Sequence, residues 1–161
     1  MRYYLIDKVT ELVPGERARG VKCATLSDEI LHDHFPDYPM LPGALIVEGA
    51  AQLAGFLLEM TFNRPDQPER PIVRALLAQI QRAKFYAPVG PGDRLEIAAT
   101  LVSSREASAQ VDFHATVEGA QAARGTLLFV LRGIDSARVH DQRRYVYALW
   151  TRHFSPPLVF P

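Results

Sequence analysis

The chain has 161 residues, 48% of them hydrophobic, with 18 basic and 18 acidic residues. This length predicts one domain with a sizeable core, and the balanced charge excludes a general bias toward nucleic acid or a membrane surface. The single cysteine, Cys23, excludes an internal disulfide framework and fits a reducing compartment. A charge comes too early for a signal peptide, and no apolar run is expected to span a membrane, so we expect a cytoplasmic protein.

Alternation of apolar and polar residues predicts strands on both sides of one long helix. Two strands, Tyr3–Leu12 and Arg17–Leu26, are expected to form a hairpin, because Pro14, Gly15 and Glu16 between them form a turn signal. Residues 27–29 are expected to cap a short helical turn. Four further strands are predicted after the helix: Ile72–Tyr86, Asp93–Ser104, Ser108–Glu118 and Ala122–Ile134.

The long helix is predicted from Pro42 to about Phe62, followed by a polar loop at residues 63–70. Its apolar residues occupy nearly every face, and a helix of this kind is buried on all sides. Two strands, one helix and four strands without βαβ alternation predict an α+β fold, in which an antiparallel sheet wraps around the central helix.

The segment before this helix is rich in proline, which fixes the path of the loop that holds His34. Pro42 suits a helix start, and Gly43 after it presents a backbone N–H without a side chain in the way. The helix then carries one acid, Glu48, and one amide, Gln52, among apolar residues. A base, an acid and an oxyanion donor are therefore predicted within fifteen residues of each other.

Starting at His34, the chain reads His-Phe-Pro-x-x-Pro-x-x-Pro-Gly-x-Leu-x-x-Glu-x-x-x-Gln. This pattern resembles the signature of the β-hydroxyacyl-(acyl carrier protein) dehydratases of the hotdog superfamily. Residues 4–9 and 83–93 are similar to further segments of that family, so that the resemblance covers roughly residues 3–133. Its length and order make the motif a specific signal.

The resemblance implies that His34 and Glu48 are the catalytic residues, with Gln52 steadying the carboxylate from one helical turn away. It also implies that the Gly43 N–H, after Pro42, holds the thioester carbonyl. Glutamate at position 48 resembles the branch that dehydrates without isomerising the double bond. The chain departs from the family's pattern at Asp37, where glycine is usual, and at residues 49–51, where Gly-Ala-Ala leaves a smaller helix flank.

Elimination of water from a 3-hydroxyacyl thioester explains these residue types. His34 can take the C2 proton near neutral pH. Glu48 can protonate the leaving hydroxide, for which we expect a neutral carboxyl favoured by burial. A preorganised N–H at Gly43 would stabilise charge on the thioester oxygen. This chemistry requires no cofactor, and we expect none.

Each of these residues has a simpler interpretation on its own. His34 alone is typical of a packed loop residue, and Glu48 alone of a salt bridge; only their spacing together favours catalysis. His32 and His34 form a His-x-His pair, but the sequence offers no second ligand cluster, and we predict no metal site. Five basic residues are expected to be solvated, and they are only weak candidates for contact with an acidic carrier protein: Arg64, Arg70, Arg74, Arg82 and Lys84.

Residues 135–161 form a basic, aromatic tail beyond the predicted domain at residues 1–134. Helical spacing predicts an amphipathic helix at Val139–Phe154 that packs on its own domain or on a dimer mate. Val146, Leu149, Trp150 and His153 are expected on its covered side. The alternative is a docking element for the acidic carrier, since the tail has a local excess of arginine.

The resemblance further implies an acyl carrier protein as partner and a homodimer or trimer of dimers, in which each site combines the histidine of one subunit with the carboxylate of the other. No nucleic-acid or membrane partner is expected. Two alternatives remain open from the sequence: a hotdog thioesterase, in which Glu48 activates water, and a non-catalytic acyl-binding partner subunit.

Overall fold

The computed structural model describes residues 3–63 and 71–160. Of the loop predicted at residues 63–70, only Asn63 belongs to the described part of the chain. Arg64 and Arg70 lie outside it. The described elements are β1 (Lys8–Val13), β2 (Arg17–Cys23), α1 (Ile30–Asp33), α2 (Gly43–Phe62), β3 (Val73–Phe85), β4 (Arg94–Arg105), β5 (Ser108–Val117), β6 (Ala120–Gly133) and α3 (Ala137–Thr151).

The six strands form one antiparallel sheet in the order β1-β2-β4-β5-β6-β3. Helix α2 lies against this sheet and contacts all six strands. Side chains alternate between buried and exposed along β4 and β5, as expected for strands with one covered face. The predicted α+β architecture, with an antiparallel sheet around one central helix, is confirmed.

Helix α2 is the core of the molecule. Its residues from Leu53 to Glu59 are all buried, and earlier residues such as Ile46 and Ala50 are buried as well. The expectation that no apolar run could span a membrane was wrong in one respect, because α2 is long and apolar enough to do so. Its position inside the sheet shows that the apolar residues serve the core instead.

The first strand is shorter than predicted, because the backbone before it is bonded to a side chain. The Leu5 N–H donates to Gln52 Oε1 at 3.0 Å, and the Tyr3 carbonyl accepts from Gln52 Nε2 at 3.0 Å. These bonds take the place of a strand ladder, and β1 begins only at Lys8. The other predicted strands are found with small shifts at their ends.

Strand β3 forms one edge of the sheet, since it pairs with β6 and with no other strand among the described residues. Several large apolar side chains on it are exposed: Leu76, Leu77, Ile80 and Phe85, with Tyr86 just beyond. A long apolar edge strand is a ready template for pairing with another chain. Strand β3 therefore presents an open, apolar edge in the single chain.

Helix α3 packs against α2 through aromatic side chains. The Tyr147 and Trp150 rings both meet the Phe56 ring edge-on, with centroids 4.9 and 6.2 Å away. Val146 and Trp150 are buried as predicted, but Leu149 and His153 are exposed, and Tyr147 and Thr151 are buried in their place. The covered face is thus rotated from the one that the spacing predicted.

A buried polar cluster connects α2, β3 and α3. Glu59 and Arg74, only 1% and 2% exposed, form an ion pair at 2.6 Å. The Tyr147 hydroxyl donates to the same Glu59 oxygen at 2.7 Å, and Arg74 Nη2 lies 2.9 Å from His140 Nδ1. The expectation that Arg74 is solvated was wrong, because the buried carboxylate of Glu59 draws its guanidinium into the interior.

Candidate active site

The His34 side chain is held by its own loop. Its Nδ1 atom lies 3.0 Å from the Met40 carbonyl oxygen, while the Met40 N–H donates to the His34 carbonyl at 2.8 Å. Because a carbonyl oxygen can only accept, this bond requires the proton on Nδ1. The lone pair of a neutral His34 is then on Nε2, which leaves that atom available as a base.

A tight turn at Phe35–Tyr38 shapes this loop. The Tyr38 N–H donates to the Phe35 carbonyl at 3.0 Å, and Asp37 has a φ of 66°. Proline at the second position and a positive φ at the third are typical of a type II turn, which favours glycine at the third position. The departure at Asp37 therefore keeps the turn, since aspartate tolerates the left-handed region better than most residues.

Helix α2 begins beside an aromatic ring. Pro42 is the N-cap residue, and its carbonyl accepts from the Leu45 and Ile46 N–H groups. Gly43 follows as the first helical residue, where backbone N–H groups have no partner within the helix. A β-carbon at Gly43 would come within 2.8 Å of the Phe85 ring, which explains why a residue without a side chain stands there.

Glu48 is oriented by Gln52, as the sequence predicted from their spacing. Gln52 Nε2 donates to Glu48 Oε1 at 2.9 Å, while its Oε1 accepts from the Leu5 N–H. Since the Leu5 N–H can only donate, the orientation of the Gln52 amide is determined. Gln52 therefore presents a hydrogen-bond donor to one oxygen of the half-buried Glu48 carboxyl.

Within one chain, Glu48 and Gly43 border two separate cavities. The first, of about 700 Å³, is lined by Glu48 and Gln52 together with Leu76 and Leu77 of the β3 edge. The second, of about 610 Å³, is lined by Gly43, by Met40 of the His34 loop and by Phe85 at the other end of β3. Among residues 3–63 and 71–160, His34 is not part of the lining of either of these two cavities.

The Glu48 cavity also has walls that the sequence did not predict. Tyr3 and Tyr4 border it from the N-terminal segment, Gly55 from α2, and five residues from α3: Val139, Gln142, Arg143, Val146 and Trp150. Gly55, inside a long apolar helix, was the one sequence signal for this part of the wall, because glycine weakens a helix. The contribution of α3 had no local signal, since it depends on contacts between distant parts of the chain.

Within residues 3–63 and 71–160, no cluster of three potential metal ligands is found. The two histidines of the His-x-His pair bond to different carbonyls: His34 to Met40, and His32 Nε2 to Leu26 at 3.2 Å. These rings are therefore oriented by the backbone.

The family model described as the FabA-like domain matches residues 1–126. The chain belongs to this family. The 3-hydroxyacyl-[acyl-carrier-protein] dehydratase FabZ of Geotalea uraniireducens (strain Rf4) is 37% identical over 125 residues, which are 78% of this chain and 83% of the relative. The resemblance inferred from the motif is thus confirmed, and the family match ends before α3.

Solved structures share the fold at lower identity. The smu.793 protein of Streptococcus mutans UA159, solved with acetyl CoA, is 16% identical, with a TM-score of 0.62 over 80% of this chain and 90% of that one. A chain of the dehydratase heterocomplex ApeI:P from Xenorhabdus doucetiae is 19% identical, with a TM-score of 0.54 over 74% and 92%. These similarities support the hotdog fold.

Proposed function

We propose that this FabA-like chain dehydrates 3-hydroxyacyl-(acyl carrier protein) thioesters to trans-2-enoyl thioesters in fatty-acid or related acyl-chain biosynthesis. The observation that carries the proposal is the pairing of Glu48 with Gln52 on the wall of a cavity, in a chain 37% identical to the FabZ dehydratase. The cytoplasmic location expected from the sequence belongs to the same proposal.

In this reaction, His34 Nε2 takes the proton from C2 of the substrate, and the electron pair of that C–H bond forms the new double bond. The C3–O bond breaks, and the Glu48 carboxyl gives its proton to the departing hydroxide, which leaves as water. The Gly43 N–H stabilises negative charge on the thioester oxygen. The residues regain their starting protonation when the C2 proton passes from His34 back to Glu48 through solvent.

The positions of the two cavities support a site shared by two subunits. Leu76 and Leu77 border the Glu48 cavity near the start of β3, whereas Phe85 borders the Gly43 cavity at its end. If two β3 edges pair antiparallel about a twofold axis near Ile80, the start of one strand lies beside the end of the other. Such a pairing would bring Glu48 of one chain toward the loop that holds His34 of the partner subunit.

A homodimer of this kind would cover the exposed apolar side chains of β3. Leu76, Ile80 and Phe85 are 43%, 50% and 49% exposed in the single chain. Pairing would satisfy the open strand edge and remove these side chains from water. The dimer, or a trimer of such dimers, is part of the proposal.

Basic residues near the Gly43 cavity support an acyl carrier protein as the partner. Arg82, Lys84 and Arg124 are exposed, and the cations of Lys84 and Arg124 lie 5.1 and 5.6 Å from the centre of the Tyr86 ring. Tyr86 itself lines the Gly43 cavity. A positive surface at this point suits an acidic carrier that delivers a tethered acyl chain.

Product analysis tests the proposal directly. Purified protein incubated with 3-hydroxydecanoyl-(acyl carrier protein) is expected to release an enoyl thioester and water, with His34→Ala and Glu48→Gln inactive but folded. Release of a free acid would identify a thioesterase instead. A wild-type protein that leaves every carrier-bound substrate unchanged would favour a non-catalytic partner subunit.

A further inference from the structure

One face of helix α3 borders the Glu48 cavity and carries a charged residue in its middle. The residues of this face follow helical spacing: Val139, Gln142, Arg143, Val146 and Trp150. Helix α3 begins after residue 126, where the family match ends. The positive charge of Arg143 is therefore supplied by a part of the chain outside the matched domain.

Arg143 is half-buried and has no counter-charge. Among residues 3–63 and 71–160, it takes part in none of the ion pairs and in none of the side-chain hydrogen bonds. The next residue is different, because Arg144 is exposed and pairs with Asp141 at 2.5 Å. A cation that is partly withdrawn from water without a partner is costly, so the position of Arg143 at a cavity points to a ligand.

The two acids of helix α2 do not supply the missing charge. Glu59 is already bound to Arg74 at 2.6 Å. Glu48 lines the same cavity as Arg143 but does not pair with it, and the proposed reaction requires a protonated, neutral Glu48. Among the described residues that line this cavity, only Glu48 and Arg143 have acidic or basic side chains. During the reaction, the cavity thus carries a net positive charge.

Further polar groups border the cavity without a part in the proposed elimination. Tyr3, Tyr4 and Gln142 bring hydroxyl and amide groups, which can donate hydrogen bonds to an anion. In the proposed site the thioester lies at Gly43, which borders the other cavity. The part of the substrate that meets Arg143 is then the acyl chain beyond C3.

We propose that Arg143, assisted by Gln142, binds an anionic group on the acyl chain, and that the preferred substrates are 3-hydroxyacyl thioesters with a carboxylate at the far end. The proposal rests on the proposed dehydratase function and names its substrate class. A carboxylate suits this position, because its two oxygens match the planar guanidinium and form strong, charge-assisted hydrogen bonds.

Pairs of substrates that differ only at the far end of the chain test this proposal. The purified full-length protein is given 3-hydroxyhexanoyl, 3-hydroxyoctanoyl and 3-hydroxydecanoyl carrier substrates, each with a terminal methyl or a terminal carboxylate. At the length that fits best, the wild type should prefer the carboxylate. Arg143→Met should lower kcat/KM for that substrate by about tenfold or more, while the methyl-ended partner changes by less than about threefold.

Arg144→Met is the matched control, because it removes the same charge from the exposed side of the same helix. It should change the preference by less than about threefold. The ratio between the two endings also cancels any effect of the lost charge on the acidic carrier, which is common to both substrates. Arg143→Lys keeps the charge without the planar fork and should retain part of the preference.

Trp150 gives a readout that does not depend on turnover, because it lines the same cavity and is the only tryptophan in the chain. Octanedioyl-(acyl carrier protein), which has no hydroxyl to eliminate, should change its fluorescence at lower concentration than octanoyl-(acyl carrier protein) does. In Arg143→Met the two probes should become equal. If the wild type shows this difference but dehydrates nothing, the proposed function fails and the anion site stands.

Three results would overturn the role of Arg143. One is a wild type that prefers the methyl-ended substrate at every length. Another is an unchanged preference in Arg143→Met. The third is an equal loss for both endings with a lower melting temperature, which would show that Arg143 serves the fold or the subunit interface.

Discussion

Helix α2 carries two acids about three turns apart, and their surroundings differ in kind. Glu48 is half-buried beside a cavity and accepts one hydrogen bond, from Gln52. Glu59 is almost fully buried and accepts from Arg74, from the Tyr147 hydroxyl and from the Ala75 N–H. Glu48 thus borders open space, whereas the Glu59 carboxylate is surrounded by three hydrogen-bond donors.

This difference shows that an acidic residue in an apolar helix is not by itself evidence of a catalytic role. The number of donors around each carboxyl group and the open space beside Glu48 distinguish the two environments. Replacing the Glu48 carboxyl with an amide should lower activity and spare the fold, while the same change at Glu59 should destabilise the fold. The following variants test that contrast.

The largest effect is expected at Glu48. Glu48→Gln keeps the size of the side chain but removes the acidic proton, and general acids typically contribute about 10²–10⁴-fold to the rate. We expect a loss of that order in kcat, with a melting temperature close to that of the wild type. Combining the change with His34→Ala should add little, because the proposed reaction uses the two residues in one step. Additive losses, measured as kcat on the same substrate, would contradict this.

The next largest effect is expected at Glu59. Glu59→Gln leaves the Arg74 guanidinium buried without its counter-charge, and breaking such a pair typically costs about 3–5 kcal/mol. Urea denaturation at fixed protein concentration measures this loss. Replacing the cluster with apolar residues, in Glu59→Leu, Arg74→Met and Tyr147→Phe together, should restore much of the stability. A Glu59→Gln protein as stable as wild type would remove the distinction between the two acids.

A smaller effect is expected at Tyr147. Tyr147→Phe loses a hydrogen bond to a charged group, which is worth about 1.5–3 kcal/mol. Burial first, and then the negative charge of Glu59, raise the pKa of Tyr147 well above its ordinary value of 10.0.

The raised pKa of Tyr147 also sets the direction of a pH dependence. Above pH 10.0 the unfolded chain releases the phenolic proton while the folded chain keeps it, so the free energy of unfolding should fall as pH rises. Below pH 10.0 this contribution is fully present. The fall should be less steep in Tyr147→Phe, as measured by urea denaturation across this range. Equal slopes in both proteins would show that Tyr147 does not contribute.

The smallest effect is expected at Asp37, in the turn beside His34. Glycine adopts a positive φ without strain but makes the unfolded chain more flexible, so Asp37→Gly should change stability by less than about 1 kcal/mol. Asp37→Val should cost more, because a β-branched side chain strongly disfavours this region. Thermal unfolding of the three proteins gives the ranking, and a stable valine variant would contradict the assigned turn.

The sequence predicted the parts of the molecule whose causes are local. Prolines and glycine at residues 36–43 determine the His34 loop and the start of α2, and the spacing of Glu48 and Gln52 places both on one helix face. Alternation predicted β4 and β5, because one face of each of these strands is covered over much of its length.

The remainder depends on contacts between distant residues. Arg74 was expected to be solvated because a charged residue at the start of a strand usually is. Its burial follows from the ion pair with Glu59. The lone acid among Phe56, Leu57 and Leu58 was an available sign that a buried partner was needed. The covered face of α3 was misplaced because it follows from Tyr147 reaching Glu59, which no local periodicity encodes.

The central claim is that each active site combines His34 of one subunit with Glu48 of the other, and mixing two inactive variants tests it most directly. His34→Ala and Glu48→Gln proteins, unfolded together and refolded, should form mixed dimers in which one of the two sites has both native residues. With random pairing we expect about one quarter of wild-type activity, while each variant refolded alone stays inactive. Confirmed mixed dimers without recovered activity would contradict the shared site.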